Sequence, residues 1–177
     1  HLGHVIREYF GDGQDFGVHI SYYEEKEPLG SGGALPLIVE SIPEDDFILI
    51  FGDVYFDIDF SRFIAFHRQK HALISILANP NSHPFDSDLL ALREDSSVSQ
   101  WIKKGTLDGR DYRNLVNAGL YLIHKEAVQP SQHPQKIDFE KGILLPLIET
   151  GRIFAYRTTE FVKDMGTPER IREVEKV

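Results

Sequence analysis

Phe47-Ile48-Leu49-Ile50-Phe51-Gly52-Asp53 is an unbroken apolar run that stops at a glycine and an aspartate. A short apolar run without alternation predicts a strand buried on both faces of a parallel sheet. Gly52 lets the chain turn there. Asp53 is then delivered beyond the carboxyl end of the strand, where open α/β sheets bind their ligands. A carboxylate in that place suits Mg²⁺, which takes one or two carboxylates plus substrate phosphates. A turn-capping aspartate after a glycine is the structural alternative.

Outward from that strand, elements alternate. Upstream, Glu27-Pro28-Leu29-Gly30-Ser31-Gly32-Gly33-Ala34-Leu35 predicts a glycine turn entering a helix over 33–40. Gly30, Gly32 and Gly33 permit positive φ and close approach of the backbone to a flat ligand. Neither the dinucleotide fingerprint nor the P-loop pattern is present. Residues 5–10 have a short helical pattern and 17–23 alternate like a strand. Downstream, Phe60, Phe63, Ile64 and His67 lie at helical spacing, and 72–78 form a second buried run ended by Asn79-Pro80-Asn81. Residues 89–93 and 98–102 predict a hairpin, 120–123 a strand after Asn117-Ala118-Gly119, and 139–149 a helix despite Gly142 and Pro146. A strand over 153–158 and a helix over 168–176, with Pro168 just inside its start, complete the pattern. The whole predicts one α/β domain over 1–177, Rossmann-like, with a mixed, mostly parallel sheet flanked by helices.

Composition narrows the function. The chain has 177 residues, no cysteine and a formal net charge of −9. Disulfides and thiolate metal sites are excluded, and the lack of cysteine fits a cytoplasmic protein. No run is long or apolar enough to span a bilayer. The acidic balance and the lack of an arginine stripe argue against nucleic acid. An acidic protein that handles phosphate needs a metal or a few placed cations.

Several residues have two readings. Asp57-Ile58-Asp59 has the D-x-D form of glycosyltransferase metal sites, but Asp59 also stands where the next helix needs an N-cap. His67 and His71 are spaced as a possible metal pair, although His67 shares its face with Phe60, Phe63 and Ile64 and reads as a core-edge histidine. Trp101 reads as core.

Taken together, the segment 27–35, the strand into Gly52-Asp53, Val116-Asn117-Ala118-Gly119-Leu120-Tyr121 and Asp164-Met165-Gly166-Thr167-Pro168-Glu169 resemble, in order and spacing, the sugar-1-phosphate nucleotidyltransferases. Within that family, His83-Pro84-Phe85-Asp86-Ser87-Asp88 and Phe161-Val162-Lys163-Asp164-Met165-Gly166 look most like D-glycero-D-manno-heptose 1-phosphate guanylyltransferases, with mannose-1-phosphate guanylyltransferases close behind. The resemblance implies transfer of a nucleotidyl group from an NTP, GTP first, to a heptose or mannose 1-phosphate, with release of pyrophosphate. The product would be a nucleotide sugar, a precursor of lipopolysaccharide or another cell-surface glycan.

The resemblance also implies roles. Glu27, Pro28, Leu29, Gly30 and Gly33 would cradle the nucleobase. Asp53 and Asp164 would share a catalytic Mg²⁺. Asn117, Gly119, Glu140 and Lys163 would bind the sugar phosphate. Lys104 would be the catalytic lysine of an E-K-P motif, with Lys103 where the family has Glu and Gly105 where it has Pro. The family's opening strand and its Gly-rich, cation-bearing loop have no counterpart in the chain. The domain therefore reads as N-terminally incomplete, supplemented by a missing segment or by a homo-oligomer. Two other readings stay open: a catalytically inactive nucleotide-sugar-binding homologue, and a D-x-D glycosyltransferase.

Overall fold

A computed structural model describes residues 2–80, 87–106 and 112–177. The His83 to Asp86 part of the guanylyltransferase-like motif lies outside the described residues. The strands are β1 Asp46–Ile50, β2 Val54–Asp57, β3 Ile74–Asn79, β4 Leu89–Leu92, β5 Val98–Ile102, β6 Val116–His124, β7 Ile153–Arg157 and β8 Phe161–Asp164; the α-helices are α1 Gly3–Phe10, α2 Leu35–Ile38, α3 Phe60–Lys70 and α4 Pro168–Val174. Residues Glu140–Leu144 form one turn of π-helix that runs into 3₁₀ turns over Leu145–Thr150. Pro146 has no N–H to donate, and Gly142 is a poor helix former, so a regular α-helix does not form there.

The sheet is mixed, as expected, but its mix has a specific cause. β6 runs antiparallel between β1 and β3, pairing Ile48 with Leu122 and Ile76 with Tyr121, while β3 and β7 pair in parallel. β1, β3, β4 and β7 thus point the same way, yet β3 and β7 are the one parallel pair of neighbours among the described residues. The β4–β5 hairpin joins the start of β6 through Leu89 and Val116, and its turn reaches β7 where Ser97 faces Phe154.

Both faces of the sheet are covered. Ile74, Ile76, Tyr121, Ile123, Ile153 and Ala155 face the 35–41 and 140–150 helical segments, whose Leu35, Val39, Phe139, Leu144 and Ile148 fill that core. The alternate residues Leu77, Leu120 and Leu122 face α3 through Phe63, with Ile48, Phe56, Ile58 and Val162 around them. This two-sided burial is why β3 and β6 read as continuous apolar runs. β1 differs from its reading. Its residues are half-buried and Ile50 is 48% exposed, because β1 pairs only with β6 and its other edge is unpaired among the described residues.

The strand expected over 17–23 is absent. The segment instead folds back on the turn before it, where Val18 N–H donates to Gly13 O at 3.2 Å and Ile20 N–H to Asp12 O at 2.7 Å, and these bonds build no ladder. α1 forms as expected, but none of its residues is buried, and Val5, Ile6, Tyr9 and Phe10 are exposed together with Phe16 and Val18.

α3 starts at its cap: Asp59 accepts from the backbone N–H of Arg62 at 3.1 Å, which settles the capping reading of Asp59. Its buried face carries His67, 2% exposed, whose Nδ1 lies 2.9 Å from the Ser75 hydroxyl and whose Nε2 lies 3.4 Å from Asp46. Burial holds its pKa below the ordinary 6.5, although Asp46 pulls the other way. The native state therefore binds the proton more weakly than the unfolded chain. Stability from His67 is complete above pH 6.5 and is lost as pH falls through that value toward the native pKa. Urea midpoints should decline over that interval, and His67→Gln should flatten the decline; an unchanged slope would assign it to other groups.

Candidate active site

Two short strands absent from the expected pattern bring the two aspartates together. β2 pairs with β8 so that Val54 faces Asp164, and the backbone N–H of Met165 donates to the carbonyl of Asp53 at 2.6 Å. Asp53, one residue before Val54, therefore stands beside Asp164 at the carboxyl end of β1. The signal was present in the alternation of Val54-Tyr55-Phe56-Asp57, but its partner lies more than 100 residues on. The Asp53 carboxylate makes no hydrogen bond or ion pair with any described residue. Asp164 accepts from Arg170 in α4, a close pair, and α4 is fixed by its Thr167 cap and by Pro168 in its first turn. Lys163, on the opposite face of β8, pairs with Glu173 at 2.5 Å. The backbones of Asp53 and Asp164 thus run side by side, and carboxylates of this kind are donors that suit a hard divalent cation. No group of three or more potential ligands occurs among the described residues.

Asp57 lies within β2, opposite Phe161, and Asp59 is committed to its helix cap. The D-x-D segment therefore does not present a free pair of carboxylates.

Asn117 and Gly119 lie inside β6, not before it as the sequence suggested. Gly119 has φ +75, and a Cβ there would stand 3.2 Å from Phe51, so a glycine is required where β6 passes the end of β1. Asn117 Oδ1 accepts from the Gly119 N–H at 3.2 Å, which fixes the amide orientation and turns its Nδ2 toward Tyr121 Oη at 2.6 Å and Glu140 Oε1 at 3.2 Å. Tyr121 is fully buried, its ring edge-on to Phe51 and tilted against Phe139 at centroid distances of 5.8 and 4.8 Å. Burial pushes its phenol well above the usual range, so it stays neutral. The Glu140 carboxyl is also raised, first by burial and then by Asp88 and Asp138, while Lys103 and Asn117 oppose the shift. Together, Asn117 and Glu140 offer one amide and one carboxylate, a pair able to read vicinal hydroxyls.

The glycine loop has a second use that the sequence did not reveal. Gly32 donates to Ile137 O at 2.9 Å, Ile137 donates to Leu29 O at 2.8 Å, and Phe139 donates to Ser31 Oγ at 2.9 Å. The close approach that the glycines allow is to the chain's own segment 135–139, which leads straight into Glu140. Leu29 is buried under this loop and donates to Glu25, whereas Glu27, Pro28 and Gly30 are exposed. Lys103 and Lys104 are both exposed at the end of β5.

The site thus gathers the aspartates, the asparagine and glutamate, and the glycine loop on the carboxyl-end side of the sheet, and the lysine turn of β5 adjoins Asn117 through β4. Comparison with known proteins finds similarity along nearly the whole chain. Mannose-1-phosphate guanylyltransferase of Mycobacterium tuberculosis is 26% identical over 167 residues, covering 93% of this chain and 46% of its own length. D-glycero-alpha-D-manno-heptose 1-phosphate guanylyltransferase of Aneurinibacillus thermoaerophilus is 25% identical over 172 residues, covering 97% of this chain and 72% of its own length. The chain thus spans about half the mycobacterial relative and about three quarters of the shorter one. Among solved structures, HddC from Yersinia pseudotuberculosis superposes with a TM-score of 0.80 at 25% identity, over 99% of this chain and 74% of that one. The same protein complexed with GMP-PN gives 0.77 at 26% identity, with the same coverage. Residues 1–177 match the Nucleotidyl transferase family from end to end, and the chain belongs to it.

Proposed function

We propose that the protein transfers a nucleotidyl group from a nucleoside triphosphate, GTP the best fit, to a heptose or mannose 1-phosphate. The observation that supports this reading is the pairing of β2 with β8, which brings the backbone of Asp53 against Asp164 and Met165 at the end of β1, where Phe51 N–H donates to Gly119 O of β6 at 3.2 Å. An oxygen of the sugar 1-phosphate attacks the α-phosphorus, the bond from the α-phosphorus to the bridging oxygen breaks, and pyrophosphate leaves. Such transfers need positioning and charge neutralisation more than covalent chemistry from the protein.

Asp53 and Asp164 are the groups that would hold Mg²⁺, which when bound offsets charge building on the α-phosphate. Asn117 and Glu140 orient the sugar hydroxyls, and Gly119 lets β6 pass close to Phe51. Residues 28–33 cradle the base with their backbone, and a lysine of the 103–104 turn holds the attacking phosphate. Lys163 bears on the sugar phosphate only if it leaves Glu173. A cytoplasmic location and a product destined for lipopolysaccharide or another surface glycan accord with this reading, and no described helix is long and apolar enough to cross a membrane.

Arg170 and Lys163, the cations of β8 and α4 nearest Asp164 in sequence on either side of it, are both engaged. β1 also has a free, half-apolar edge. We therefore propose that the triphosphate grip comes from chain beyond these residues, preceding them or contributed by another copy. The same observation favours one competing reading, a homologue that binds nucleotide sugar without turning it over.

The deciding experiment is pyrophosphate release by the full-length protein across GTP, ATP, CTP and UTP with heptose and mannose 1-phosphates. The expected result is release with GTP and one of these sugars. Binding of nucleotide sugar by calorimetry without release under any pairing would establish the competing reading.

A further inference from the structure

Asp88 stands at a crossing of three strands. In β4, Leu89 pairs with Ile102 of β5 on one side and with Val116 of β6 on the other, both antiparallel. Continuing the register by one residue sets Asp88 opposite Lys103 and opposite Asn117. Residues directly opposite in antiparallel pairs share a face of the sheet. Lys103, Asp88 and Asn117 therefore form a row across three strands, on the face where Asn117 meets Glu140.

Both carboxylate oxygens of Asp88 are in use. Oδ2 accepts from the Trp101 indole N–H at 2.8 Å, and Oδ1 accepts from the Lys104 backbone N–H at 2.9 Å. Its carbonyl oxygen accepts from the Asn117 N–H at 3.4 Å. Beyond this clasp the chain turns: Thr106 N–H donates to Lys103 O at 3.1 Å, and Gly105 supplies φ +77 at the third position of that turn. Lys104 therefore occupies the second position of an exposed turn, with its backbone N–H held by Asp88. Lys103 is the last residue still in register with the row.

We infer that Asp88 is a positioning residue, whose carboxylate clasps the turn after β5 and so presents the ammonium of Lys103, rather than that of Lys104, to the Asn117–Glu140 pair. The inference rests on the sugar 1-phosphate reading for what Lys103 would bind: the anionic phosphate beside the sugar hydroxyls. Its geometry is independent of that reading. The electrostatics agree, since Lys103 is the lysine whose charge acts on the Glu140 carboxyl, pulling against the burial that raises it.

The test uses the full chain with Asp88→Ala, Asp88→Asn, Lys103→Ala and Lys104→Ala. Trp101 is the one tryptophan of the sequence, so its fluorescence reports the clasp directly. Asp88→Ala should shift that emission. It should raise KM for the sugar 1-phosphate about tenfold with KM for the nucleotide unchanged, and Asp88→Asn, which keeps one acceptor, should fall between. Lys103→Ala should weaken use of the sugar phosphate on the order of 10²-fold, more than Lys104→Ala. By carbon-detected NMR, Lys103→Ala should move the Glu140 titration to higher pH, because a cation that favoured the carboxylate is gone, and Lys104→Ala should leave it in place.

Should Lys104→Ala move Glu140 while Lys103→Ala does not, or should Asp88→Ala leave the Trp101 emission unchanged, the inference is overturned. If no sugar 1-phosphate is used by any form of the protein, the functional reading fails instead, and the fluorescence and the titration still judge the clasp.

Discussion

Asp53→Asn and Asp164→Asn in the full chain should each lower kcat/KM for pyrophosphate release by about 10²–10³-fold, the scale of losing one preorganised electrostatic contact. The two substitutions should not be equivalent in the absence of substrate. The Asp53 carboxylate has no partner among the described residues, so Asp53→Asn removes the proposed ligand and releases nothing else. Asp164 already holds Arg170, so Asp164→Asn also frees that guanidinium, and its neighbours can respond. Arg170 competes with any cation for the same carboxylate. Arg170→Ala should therefore tighten binding of Mn²⁺, a spectroscopic substitute for Mg²⁺, while both aspartate variants should weaken it. Electron paramagnetic resonance of free Mn²⁺ measures this without turnover. Equal Mn²⁺ affinity in wild type and both aspartate variants would refute the shared metal site, whatever the activities.

What the sequence made legible follows from the range of the interactions involved. The β4–β5 hairpin, α3 with its Asp59 cap, and α4 with Thr167 and Pro168 are set by neighbours a few residues apart, and all formed where the pattern placed them. β3 and β7 carry enough apolar residues to be found as strands, but their neighbours could not be read. The insertion of β6 between β1 and β3 depends on packing that periodicity does not encode, so strands that point the same way were read as adjacent. The ribbon of β2 and β8 was missed because each strand has only four residues, and its pairing joins segments more than 100 residues apart.

The site shows the same division. Asp53 was expected from the strand end, and Asn117, Glu140 and Asp164 from the resemblance; the described residues carry all four toward one end of the sheet. Three partners that shape them were invisible: Arg170 on Asp164, Tyr121 under Asn117, and Asp88 on the lysine turn. Each is a side-chain contact between elements whose placement the sequence did not specify. The half-exposure of β1, a run that reads as fully buried, needed the sheet order.

Gly33→Ala should destabilise the fold by about 3 kcal/mol, the upper end of what overpacking costs in a tight interior. The reason is space and not φ. A Cβ at Gly33 would lie 2.6 Å from Leu29 Cβ, and closer still to the carbonyl oxygens of Leu29 and Gln135. Two of these three atoms are backbone, so no rotamer change relieves the overlap. The loop must lift from segment 135–139, and the bonds from Gly32 to Ile137 and from Ile137 to Leu29 must lengthen or break. That segment continues through buried Phe139 into Glu140, so lifting it disturbs the carboxylate that meets Asn117. Gly52→Ala is the matched control: a Cβ there meets nothing within 4 Å, and its stability should stay within about 0.5 kcal/mol of wild type. Urea denaturation at pH 8, above the range where His67 titrates, isolates the steric term. A Gly33→Ala midpoint equal to that of Gly52→Ala would mean that the loop stands clear of 135–139. With the expected loss, nucleotide affinity should fall in Gly33→Ala in parallel with stability, because one backbone loop would both cradle the base and brace the helix turn that carries Glu140.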